Sequence, residues 1–326
     1  MPRLDARDPA AIDEAARRLA GGELVAFPTE TVYGLGARAD DDAAVAQVFA
    51  TKGRPADHPL IVHVADAAAA ARFAARLDAL AGRLMAAFWP GPLTLIVPRR
   101  TGVASAAAGG QDSIGLRCPA HAVAQDLLRR AAALGVPGVA APSANRFGRL
   151  SPTTAEHVEA EFGPALAVLD GGACPVGIES AIVDLTRGVP VLLRPGMLTP
   201  ARIEAAAGVP LAVRDAGAPR ASGTLAAHYA PRARLCLFAD ADSLAQALRV
   251  APAVGRLAVY SRSACPPAVA VLQRRMPAQA DDAARELFAT LRDLDAAGVD
   301  QIWVEQPPDD PAWDGVRDRL QRAAAA

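Results

Sequence analysis

The chain has 326 residues, 52% hydrophobic but only 4% aromatic, which exceeds one typical domain and suits alanine-rich helices packed on a sheet. Its net charge of −1 supplies no global basic field, which argues against a dedicated polyanion binder. The four cysteines, Cys118, Cys174, Cys236 and Cys265, lie far apart with no C-x-x-C pair, which points away from a zinc site or disulfide framework and toward a reducing cytoplasm.

The N-terminal stretch MPRLDARDPAAIDEA is charged, and no apolar run approaches about 18 residues, so neither a secretion signal nor a membrane span is expected. Asp8 and Pro9 form an N-cap and first-turn pair, and Ile12, Ala15, Ala16 and Leu19 recur at helical spacing until Gly21 and Gly22. Glu23 to Phe27 reads as a strand that opens into Pro28-Thr29-Glu30-Thr31-Val32-Tyr33-Gly34-Leu35-Gly36. Hydroxyls, an acid and two glycines after a strand suit a ligand-facing loop. G-L-G is not a dinucleotide fingerprint, because the third glycine is missing.

Asp41 to Ala50 is expected as a helix that delivers the chain to Lys52-Gly53-Arg54-Pro55. There two cations are expected on a turn at the mouth of a sheet, followed by a strand from Leu60 to Val64 that contains His63. Ala67 to Trp89 reads as helical with a break at Gly82, Leu93 to Val97 as a strand, and Gly102 to Asp112 as a small, glycine-rich, mobile stretch. Ser113 to Arg117 reads as a strand with Arg117 at its end, followed by a helix from His121 to Leu134 and by Val139 to Ala141, which enters Pro142-Ser143-Ala144-Asn145. A helix from Thr153 to Glu161, strands at 166–170, 179–184 and 189–194, and a helix from Thr199 to Ala207 complete a twisted mixed sheet with flanking helices.

From Arg214 to Pro231 the pattern changes to Gly, Pro, Ser and Ala, as in a linker. Beyond it, strands at 235–238, 257–260 and 302–305 alternate with helices at 243–250 and 281–296, and a last helix starts at Asp310-Pro311. That alternation suggests a small Rossmann-like α/β domain without a phosphate loop. The expected organisation is a large α/β domain over residues 1–212, a linker over 213–232 and a small α/β domain over 233–326.

No G-x-x-x-x-G-K-[ST], H-E-x-x-H or G-x-S-x-G occurs, so a P-loop NTPase, a zinc hydrolase and an α/β-hydrolase are unsupported. What remains is a set of cations and hydroxyls at expected strand ends: Lys52, Arg54, Arg117 and Arg194, with Thr31, Ser113, Ser143, Asn145, Ser151 and Ser180. Converging guanidinium groups suit a triphosphate. Each residue also has an ordinary alternative: a solvated basic turn for Lys52 and Arg54, surface arginines for Arg117 and Arg194, an Asx-type turn for 143–145, and a packed core histidine for His63.

PTETVYGLGA at 28–37, KGRPADHPL at 52–60, SIGLRCP at 113–119, APSAN at 141–145, IESAIVD at 178–184, RPG at 194–196 and HYAP at 228–231 together resemble one family. It is the YrdC-like threonylcarbamoyl-AMP synthases, in their long form with an additional C-terminal domain. The resemblance implies a nucleotidyltransferase that converts L-threonine, bicarbonate and ATP to L-threonylcarbamoyl-AMP and pyrophosphate, for threonylcarbamoyl-adenosine modification of tRNA. It implies L-threonine at Thr31, His63, Arg117, Ala141 and Ser180, with Arg117 on the carboxylate. It implies ATP at Lys52, Arg54, His58, Ser113, Ser143, Asn145, Ser151, Arg194 and Tyr229, with Lys52 and Arg54 catalytic and Tyr229 with the linker covering the nucleotide. Two departures stand out: His58 where an Asn is common, and Ala141 where a Thr often lies, which leaves only its backbone to serve. Mg²⁺ is expected with ATP and without protein ligands. The partners implied are tRNA or downstream threonylcarbamoyl-transfer proteins, in the cytoplasm and away from membranes. The rivals are an RNA-binding module of the YrdC type and a carbamoyltransferase; the latter would bring zinc-finger and acylphosphatase-like regions that this chain lacks.

Overall fold

Helix boundaries in the computed structural model, which describes residues 3–250, 256–263 and 272–326, follow the caps that the sequence supplies. The chain divides into two units, Met1–Phe147 with Ser151–Thr224 and Gly148–Leu150 with Leu225–Ala326. In chain order the first contains β1 (Leu4–Asp5), α1 (Pro9–Ala20), β2 (Val25–Phe27), β3 (Gly34–Arg38), α2 (Asp42–Lys52), β4 (Ile61–His63), α3 (Ala67–Ala70), α4 (Ala79–Phe88) and β5 (Leu93–Pro98). It continues through β6 (Ser113–Arg117), α5 (Ala122–Ala133), β7 (Val139–Ala140), α6 (Ala155–Phe162), β8 (Ala167–Asp170), β9 (Ala181–Asp184), β10 (Val191–Arg194) and α7 (Pro200–Ala207).

Asp8 caps α1 by accepting from Ala10 N, and Asp41 caps α2 by accepting from Ala43 N and Ala44 N. The α2 helix stops because Gly53 takes a left-handed φ of 64°, so Lys52 is its last residue rather than part of a turn, as the sequence reading had it. That places the Lys52 side chain on a fixed helical frame.

The ten strands form one mixed sheet in the order β1-β8-β2-β3-β7-β4-β6-β5-β9-β10. Alternation along β2 shows its two faces: Val25 and Phe27 pack with Leu19 of α1 and Leu127 and Leu128 of α5, while Ala26 joins Val45 and Val48 of α2. Each fully buried side chain of this size contributes about 1.5–3 kcal/mol by leaving water, so both faces need their helices. The β4–β6 pair is parallel with His63 opposite Arg117, which fixes those two side chains at one level of the sheet.

The second unit contains β11 (Arg234–Phe238), α8 (Ala241–Val250), β12 (Leu257–Ser261), β13 (Leu272–Arg275), α9 (Ala280–Ala296), β14 (Gln301–Glu305) and α10 (Asp314–Ala324). Among the described residues its four strands are all parallel, in the order β11-β14-β12-β13. Leu287, Leu291 and Leu294 recur at helical spacing on the buried face of α9. Among the described residues no helix is long and apolar enough to cross a membrane.

Some expectations need correction. The helical stretch 67–89 breaks before Gly82 and not at it: Ala74 bridges to Arg99, Asp78 restarts the helix by accepting from Ala81 N, and Gly82 lies inside α4. The stretch 102–112 is packed rather than mobile, with Ala104, Ala107 and Ala108 buried and Ala107 O accepting from Leu60 N at 2.7 Å. Strands β1, β3 and β13 were not read from the sequence; β3 is Gly-Leu-Gly-Ala-Arg, whose glycines weaken strand propensity. Cys265 lies outside the described residues.

Candidate active site

The loop after β2 is the scaffold of the site, because its backbone is bonded to three other segments. Val176 N donates to Glu30 O and Gly177 N to Thr31 O, Tyr33 N donates to Pro152 O, and Ala144 N donates to Tyr33 O. The motifs at 28–37 and 141–145 therefore meet around one loop, together with residues 176 and 177 just before the 178–184 motif. Thr29 and Thr31 share a hydroxyl hydrogen bond of 2.8 Å, and Thr29 Oγ1 also donates to Val32 O, which closes the turn on itself.

Arg117, at the end of β6 and 4% exposed, enters this loop from the sheet. Its Nη1 donates to Thr31 Oγ1 at 2.9 Å, its Nε donates to Gly91 O at 3.3 Å, and its Nη2 stands 2.7 Å from Glu30 Oε1. His63, its register partner, is buried edge-on to Phe27. Burial first, and the Arg117 charge second, hold the His63 imidazole down to about 3, so it is neutral near neutral pH. Thr31, His63 and Arg117 are thus brought together, with Ala141 N bonded to Ile61 O on the neighbouring strand.

A second group lies toward β9 and β10. Ser180 Oγ and Thr94 Oγ1 are 2.8 Å apart, and Arg194 donates from Nε and Nη2 to Ser180 O at 3.1 and 3.0 Å. Gly196 is required beside it, since a Cβ there would stand 2.5 Å from Ala181 N. Arg194 Nη1 donates to Ser222 O at 3.0 Å, and Arg54 Nη2 donates to Ser222 Oγ at 3.2 Å and to Pro59 O at 3.0 Å. One serine of the segment before Thr224 therefore engages both guanidinium groups. Beside it, Ser113, Gly115, Ile61, Thr94, Ile182 and Ser222 line an open cleft.

Phe147 joins the basic turn to the Ser-x-Asn loop. Arg54 lies over its ring at 5.7 Å, and the His58 ring meets it edge-on at 5.4 Å. Burial and the nearby Arg54 charge shift His58 below the ordinary histidine range. Lys52 is buried, and its Nζ donates to Ser143 O at 2.6 Å and to Asn145 O, while its own carbonyl accepts from Phe147 N. Burial, then Arg54, pushes the Lys52 ammonium well below the ordinary lysine range. The expected phosphate lysine is thus engaged with backbone carbonyls of 143–145.

Two buried acids were not among the expected site residues. Glu179 accepts from Ser151 Oγ, and Glu30 pairs with Arg117. The available signal was their place inside quoted motifs, each next to a hydroxyl residue. Tyr229 belongs to the second unit, where it is 1% exposed and packs near His228, Phe288 and Arg319. Burial raises the thiols of Cys118 and Cys174, which disfavours the thiolate at both. What the arrangement offers is a neutral imidazole and an Arg–Glu pair on one side, and two guanidinium groups with a cleft on the other.

The profile described as "Telomere recombination", for Sua5, YciO and YrdC proteins, matches residues 17–196. The profile of the threonylcarbamoyl-AMP synthase C-terminal domain matches residues 198–325. A threonylcarbamoyl-AMP synthase of Pyrococcus abyssi is 38% identical, covering 95% of this chain and 93% of the relative. One of Bacillus subtilis is also 38% identical, covering 98% and 94%. The crystal structure of P. abyssi Sua5 complexed with L-threonine superposes with a TM-score of 0.88 at 35% identity, covering 97% of this chain and 95% of that one.

Proposed function

The chain belongs to the Sua5–YciO–YrdC family with a threonylcarbamoyl-AMP synthase C-terminal domain, and from that membership we infer that it is a threonylcarbamoyl-AMP synthase. It is an enzyme of the nucleotidyltransferase type and uses ATP. L-Threonine, bicarbonate and ATP are its substrates, and L-threonylcarbamoyl-AMP and pyrophosphate its products. The product serves threonylcarbamoyl-adenosine formation on tRNA in the cytoplasm.

The observation that carries this reading is the Arg117 group beside the Arg54–Arg194 group. L-Threonine lies with its carboxylate on Arg117 and near Thr31, His63, the Ala141 backbone and Ser180. ATP lies along Arg54, His58, Ser113, Ser143, Asn145, Ser151 and Arg194. The Ser222 hydroxyl and carbonyl sit on the guanidinium positions that phosphate oxygens would take. Lys52, behind Arg54, ties down the 143–145 backbone.

No protein nucleophile is required. The threonine amine adds to bicarbonate carbon with loss of water, and an oxygen of the resulting carbamate attacks the α-phosphorus as pyrophosphate leaves. The chain's contribution is orientation and neutralisation of phosphate charge. Mg²⁺ entering with ATP would supply further neutralisation; among the described residues no cluster of three His, Cys, Asp or Glu gathers as a ligand set.

Pyrophosphate release by the purified chain tests this reading. Release is expected only when ATP, L-threonine and bicarbonate are all present. ATP turnover indifferent to threonine would sink it.

A further inference from the structure

Glu30 is 5% exposed, and neither of its carboxylate oxygens accepts an aligned hydrogen bond from a described residue. Its nearest charge is Arg117 Nη2 at 2.7 Å, and that nitrogen likewise makes no aligned hydrogen bond. His63 Nδ1, on the register partner of Arg117, is a fourth buried polar atom in this condition. Buried carboxylates normally collect several donors, because an unmet acceptor keeps its desolvation cost. Loose backbone does not account for it. The carbonyls of Glu30 and Thr31 are held by Val176 N and Gly177 N, and Thr29 Oγ1 is bonded on both sides.

A carboxylate can only accept and a guanidinium can only donate, so one ligand that satisfies both must carry a cation and an anion side by side. An α-amino acid zwitterion does so, with its two charged groups on the same carbon. A lone buried arginine would take any carboxylate; an acid beside it adds a demand for an amine. We propose that Glu30 receives the α-ammonium group of L-threonine and thereby selects an amino acid over other carboxylates. This rests on the reading above in which Arg117 holds the threonine carboxylate.

The rival for the same pair is a purely structural role, in which Glu30 only orients Arg117. The two separate on a ligand that keeps the carboxylate and lacks the amine. Binding of L-threonine and of 3-hydroxybutyrate is measured by calorimetry on the full chain and on Glu30→Gln. The wild type is expected to favour threonine by about tenfold or more, the range of a hydrogen bond to a charged group. Glu30→Gln is expected to lose most of that preference, with 3-hydroxybutyrate affinity little changed. Equal losses for both ligands, or an undiminished preference, would overturn the proposal while leaving threonine binding itself in place. A wild type that binds neither ligand would overturn the pocket reading as well. Should Glu30→Gln fail to fold, Glu30→Asp keeps the charge: it is expected to retain a preference for threonine, and equal weakening of both ligands would again overturn the proposal.

Discussion

Arg117 and Glu30 set the energetics of the site at the level of single side chains, since each is the other's buried counter-charge. Removing one partner of such a pair costs about 3–5 kcal/mol, much more than a surface ion pair is worth. Arg117→Ala is therefore expected to lower stability by that order as well as to abolish threonine binding. Arg117→Lys separates the effects: it keeps the charge but loses the planar fork, so urea midpoints should move little while threonine affinity falls about tenfold or more. His63 makes a pH prediction. Its folded value of about 3 lies below the ordinary 6.5, so between those limits the unfolded chain binds a proton that the folded chain does not. Stability should thus fall as pH drops through that window, with a slope from this one group approaching about 1.4 kcal/mol per pH unit. Urea titrations at several pH values should show a shallower slope in His63→Gln; an unchanged slope would mean that another group governs it. The cations of this site could be named from sequence only through the motifs that hold them, since each alone reads equally as a solvated surface charge. Glu30 was not, because an acid between two threonines looks the same whether the loop is solvated or buried.

The helix α2 and the turn that follows it behave as a unit, and here the sequence was half informative. Asp41 and Gly53 mark the helix ends by capping chemistry that any reader of the chain can apply. That Lys52 would point into carbonyls of the 143–145 loop was hidden, because the contact spans 91 and 93 residues of sequence. Strand β3 was likewise hidden: its glycines carry no strand signature, and only its pairing with β2 and β7 defines it. The two cations of this stretch should therefore differ on mutation. Lys52→Met strands two buried carbonyls and is expected to cost about 2–4 kcal/mol in a urea titration. Arg54→Ala leaves Pro59 O and Ser222 with other options, so its expected cost is below about 1.5 kcal/mol and its main effect a raised KM for ATP. Equal destabilisation by both would refute the division of labour between them.

At the scale of the whole chain, fold class was the most legible property: alternating strands and helices predicted a mixed sheet with flanking helices and a smaller parallel α/β unit, and the sheets have that form. The order of the ten strands was not legible, since it depends on pairings across the sequence that no local pattern encodes. Seven ordered motifs carried the family, and the site shows one link between them: the loop at 28–37 is bonded to backbone at 142 and 144, inside the 141–145 motif, and also at 152, 176 and 177. The central claim is that these segments join threonine, bicarbonate carbon and AMP in one molecule. Its most direct test is mass spectrometry of the reaction product formed from ATP, L-threonine and ¹³C-bicarbonate. The expected result is threonylcarbamoyl-AMP carrying one ¹³C, absent when threonine is omitted; AMP or ADP as the sole nucleotide product, with no label in any adenylate, would contradict the account.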